Sequence, residues 1–140
     1  MGKKLKDNPA QEIQFQRLRL GSFNSFDGDL VADSLKANYK LWDSFLFGRF
    51  GPCSLIELRD LPEGYLNADT LYILTSKKRW PALKKVIAKW DADEIGYLAA
   101  DGTHEGIPPD FGDGRFRNNL SMEMGGGGNK DSILVRVWWD

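Results

Sequence analysis

Apolar residues recur along this chain with two different periods, and the points where one period gives way to the other mark out its elements. From Thr70 to Thr75 the run Leu71-Tyr72-Ile73-Leu74 is apolar at every position. Successive strand residues point to opposite faces, so Leu71 and Ile73 would share one face and Tyr72 and Leu74 the other, as in an interior strand covered on both sides. The period then lengthens. Trp80, Leu83, Val86, Ile87 and Trp90 fall within an arc of about 120 degrees on a 3.6-residue wheel, with Lys78, Lys85 and Lys89 opposite. Pro81 suits the first helical position, where its missing N–H costs nothing, so the spacing predicts a helix from Pro81 to Trp90. Period two returns from Ile133 to Trp139, where Ile133, Val135, Val137 and Trp139 alternate with Leu134, Arg136 and Trp138, which predicts a strand.

The remaining segments are less regular. Asn8-Pro9-Ala10-Gln11 resembles a capped helix start, but Ile13 and Phe15, then Leu18 and Leu20, alternate with one phase break, and the alternation favours a strand from Ile13 to Leu20. Asp27 or Asp29 can cap a helix whose apolar positions Leu30, Val31, Leu35, Tyr39, Trp42, Phe45 and Leu46 run on toward Gly48. Gly48 would end it in the left-handed conformation, and Gly51-Pro52 would prevent its resumption. Ser54 to Leu58 reads as a short strand, Leu61-Pro62-Glu63-Gly64 as a turn, and Glu94 to Leu98 as a further strand. From Ala99 to Lys130 the chain is rich in Gly, Pro, Asp and Asn, a long loop in which Phe116 and Leu120 to Met124 offer one short strand.

This order predicts an α+β two-layer sandwich: a mainly antiparallel sheet of four or five strands with two helices on one face, in an order that a ferredoxin-like arrangement would satisfy. A three-layer arrangement is the alternative, and the two-faced strand at Leu71 to Leu74 would suit it. The 140 residues contain no repeat or linker, so one domain is expected over 1–140, with residues 1–10 a flexible N-terminus and 99–130 the long loop.

Composition narrows the class of protein. An apolar share of 41% is ample for a packed core and lies outside the range of disordered chains. No leader or membrane span is legible and the single cysteine, Cys53, excludes an internal disulfide, so a cytoplasmic location is expected. One cysteine and one histidine cannot hold a structural zinc, and no cofactor is expected. The net charge of −1 argues against a general affinity for nucleic acid.

That charge is unevenly placed. Lys77, Lys78, Arg79, Lys84, Lys85 and Lys89 are followed by Asp91, Asp93, Glu94, Asp101, Glu105, Asp110 and Asp113. Three cations at Lys77, Lys78 and Arg79 stand where a helix begins, and a helix start already carries partial positive charge, so an anion bound there would be held by both. The alternative is a solvated charge run whose long stems cover Trp80. A second candidate is the loop from Asp101 to Asp113, which holds the only histidine, His104, among carboxylates including Asp101, Glu105 and Asp110. A histidine so flanked would serve as a general base. As a calcium loop it fails, because Gly112 stands where a bidentate Glu is needed and Pro108-Pro109 oppose closure. The glycines Gly125 to Gly128 do not make a phosphate loop, since Asn129 precedes Lys130 and a strand follows.

Trp42, Trp80 and Trp90 fall on apolar stripes and are expected in the core, whereas Trp138 and Trp139 point to opposite faces of the last strand. Trp138 with Arg136 would then form a contact surface.

Two functions follow as expectations. One is a small binding or regulatory protein that engages a protein partner or a small anion through the basic turn and the terminal strand. The other is a small hydrolase-like enzyme built on His104, Glu105, Asp101 and Asp110, with Arg79 or Arg115 holding a substrate anion. The opposed charges of neighbouring segments would also allow a homodimer, or would neutralise each other within one molecule.

Overall fold

The computed structural model describes residues 9–23, 25–48, 69–99, 101–108 and 131–139. The expected strand at Ser54 to Leu58, the turn at Leu61 to Gly64, Cys53, Asp110, Arg115, the segment Leu120 to Met124 and the glycines Gly125 to Gly128 lie outside these residues.

The described chain begins with helix α1 (Pro9–Arg19), a two-residue ladder of β1 (Ser22–Phe23) and β2 (Phe26–Asp27), and helix α2 (Gly28–Ala37). A 3-10 turn (Tyr39–Leu41) leads into β3 (Ser44–Gly48). After β4 (Thr70–Ser76) come α3 (Trp80–Ile87), a 3-10 turn (Ala88–Trp90), β5 (Glu94–Ala99), β6 (His104–Gly106) and β7 (Ser132–Trp138). The class is α+β, with a five-stranded sheet in the order β3-β4-β7-β5-β6 in which every neighbouring pair is antiparallel. Since β7 runs antiparallel to both β4 and β5, those two are parallel to each other, and β4–α3–β5 is a split β-α-β unit.

Two sequence expectations are corrected. The segment Ile13 to Leu20 is not a strand: all of it but Leu20, which lies in the turn that follows, belongs to α1, a third helix. Phe15 and Leu18, three residues apart, are its buried positions, and Ile13 and Leu20 of the supposed strand face are exposed. The helix begun at Gly28 does not reach Gly48. Asp27 caps it, accepting from the Leu30 N–H, and it stops at Asn38, whose backbone N–H and side-chain amide both donate to the Ser34 carbonyl. Phe45 and Leu46 therefore lie in β3, where Phe45 turns toward the core and Leu46 is largely exposed.

One face of the sheet meets the helices. Leu71, Ile73, Ile133, Val135, Val137, Ala99 and Phe47 join Val31, Ala32 and Leu35 of α2 and Trp80, Leu83 and Ile87 of α3 in one buried cluster. Burying each large side chain contributes about 1.5–3 kcal/mol. An aromatic seam anchors the N-terminal helices to this face. Phe15 of α1 meets Trp42 and Phe45, and Phe26 stacks on Phe47 and abuts Trp139 edge-on. The other face is buried as well at Tyr72, Leu74, Leu134 and Arg136, so β4 is covered on both sides as its all-apolar run predicts. Trp42, Trp80, Trp90 and Trp139 are all buried, while Trp138 is half-buried.

Candidate functional site

The turn from β4 into α3 lies beside the start of β7, because Ser76 pairs with Ser132 and the Lys77 N–H donates to the Asp131 carbonyl. Together with Leu41, Asp43, Lys78, Arg79 and Ala82 these residues line an open cleft of about 780 Å³. Each cation of the turn has a different fate there.

Arg79 is tied down. Its two terminal nitrogens donate to both oxygens of Asp43, at 3.1 and 2.5 Å, and its Nε donates to the Ser76 hydroxyl at 3.0 Å. Such a forked pair fixes the guanidinium in one plane. The same hydroxyl accepts the Arg79 backbone N–H at 3.3 Å, so Ser76 also fastens the start of the helix. Lys77 reaches across to Asp101 at 3.0 Å. Asp101 in turn accepts from the Thr103 hydroxyl at 2.6 Å and from its backbone N–H at 3.0 Å. These hydrogen bonds, the Thr103 hydroxyl first, hold the Asp101 carboxyl far below the usual carboxylate range.

One turn along α3, Lys84 bonds Glu105 at 2.9 Å, and the same carboxylate oxygen accepts from the Trp80 indole N–H at 2.8 Å. Lys84 foremost and then Trp80 lower the Glu105 pKa. Lys78, Lys85 and Lys89 are exposed and make no ion pair with the described residues. The cations around α3 therefore sort into two sets. Lys77, Arg79 and Lys84 are matched by carboxylates from Asp101, Asp43 and Glu105, whereas Lys78, Lys85 and Lys89 are exposed, as is Ala82.

Among the described residues of the acidic loop, His104 and Glu105 are not brought together. His104 and Glu105 are adjacent on β6, opposite Leu98 and Tyr97, so they project to opposite faces of the sheet. Glu105 lies under Trp80 on the helical side, and His104 is exposed on the other. Asp110 lies outside the described residues, among which no three His, Cys, Asp or Glu side chains come together as a metal-binding group would require. No helix among the described residues is long and apolar enough to cross a membrane.

Arg136 and Trp138 are brought together on the sheet face away from the helices. Arg136 is only 4% exposed, pairs with Glu94 at 2.9 Å and lies 5.6 Å from the Trp138 ring. The backbone of β7 is paired to β4 on one side and β5 on the other, so β7 itself is not an edge strand. Asp43 and Asp131, which share the cleft with the basic turn, are the site residues that sequence reasoning missed. Asp43 lay inside the over-extended helix, and nothing local announces that it meets Arg79.

Comparison with protein-family models, with curated proteins and with solved structures finds no match.

Proposed function

We propose that this chain is a non-catalytic binding protein that engages a partner protein through the β4–α3 turn and the outer face of α3. The observation that carries this reading is the division of the cations. Arg79 and Lys77 are already neutralised by Asp43 and Asp101, and Asp131 adds a further negative charge to the cleft, so a small free anion gains little there. Lys78 in the turn before α3, Lys85 on the helix and Lys89 in the 3-10 turn after it make no ion pair with the described residues, a spread of charge that suits an extended macromolecular surface. The chain's net charge of −1 opposes a polyanion that would sample its whole surface.

Site-specific photo-crosslinking in the host cell tests the reading. A benzophenone residue at Ala82 should yield an adduct of discrete protein mass, and the same residue at Ala82 in a Lys78→Glu, Lys85→Glu, Lys89→Glu background should not. An adduct unchanged by the three reversals, or none from Ala82 at all, would remove the α3 face as the binding surface.

A further inference from the structure

We draw no further inference here: the strongest candidate, the outer edge of β3 with Phe45, exposed Leu46 and Phe47 at the end of the sheet, carries nothing because nothing in the structure shows what covers it.

Discussion

Arg79 and Asp43 join the start of α3 to the residue just ahead of β3, through two hydrogen bonds that leave the guanidinium no other orientation. Asp43 is itself anchored, its backbone N–H donating to the Leu74 carbonyl at the end of β4. The pair thus locks the 3-10 turn, the sheet edge and the helix start into one corner, and it draws the strongest cation of the basic turn away from solvent.

Because both partners are only partly exposed, Arg79→Ala should lower stability by about 1–2 kcal/mol, more than an ordinary surface pair contributes. Arg79→Lys should recover less than half of that, since an ammonium cannot fork onto both Asp43 oxygens. Urea unfolding of the two variants beside wild type checks both amounts. Equal stability of Lys and Arg at this position would show that geometry contributes nothing.

Acid should loosen the contact between α3 and the β5–β6 connection. Folding lowers the pKa of Asp101 and of Glu105. A depressed folded pKa contributes stability that is complete above the unfolded value and is lost as pH falls through the folded one. The loss is therefore expected below the ordinary values of 3.8 for Asp101 and 4.5 for Glu105. The urea midpoint of Glu105→Gln with Asp101→Asn should fall less than that of wild type between about pH 6 and pH 3. Parallel curves for the two proteins would contradict the pairing.

Trp139 is fully buried, meets Phe26 edge-on at 4.6 Å and donates its indole N–H to the Trp90 carbonyl at 3.0 Å. Trp139→Ala should cost about 3–5 kcal/mol, the usual range for deleting a large aromatic. Trp139→Phe keeps a ring against Phe26 but strands the Trp90 carbonyl, and about 1–3 kcal/mol is expected. Chemical denaturation resolves the two.

At Gly96 an added Cβ would stand 2.2 Å from the Ile107 carbonyl oxygen and 2.4 Å from its carbon, both backbone atoms. Gly96→Ala should therefore push the end of β6 off β5, at about 1–3 kcal/mol. Hydrogen exchange would find the Ile107 amide, which donates to the Ile95 carbonyl, losing protection before the amides of β7. Unchanged protection there would show that the two strands tolerate the methyl group.

The elements legible in the sequence were those whose apolar positions pack continuously along their length. The alternation of β7 and the apolar arc of α3 survive because each packs on a single continuous core. The run Leu71 to Leu74 was readable because both faces of β4 are buried. Ile13 to Leu20 misled because exposed Ile13 and Leu20 completed an apparent strand, although only Phe15 and Leu18 are buried. Trp42, Phe45 and Leu46 extended the helical spacing by coincidence past the stop at Asn38. The site was half legible: the basic turn shows in the sequence, but the carboxylates that cancel two of its cations come from residues 36 and 24 positions away. No local pattern encodes such pairings, and they decide which lysines remain available.

The position of β7 has a consequence for how the molecule is assembled. It is the last described strand in chain order and the middle strand of the sheet, with β4 on one side and β5 on the other. Neither β4 nor β5 can complete its ladder until β7 arrives, so the sheet closes in one late step that depends on distant contacts. During synthesis the apolar strand Leu71 to Leu74 must wait with its β7 side unfilled, which ties the speed of folding to the delivery of one strand.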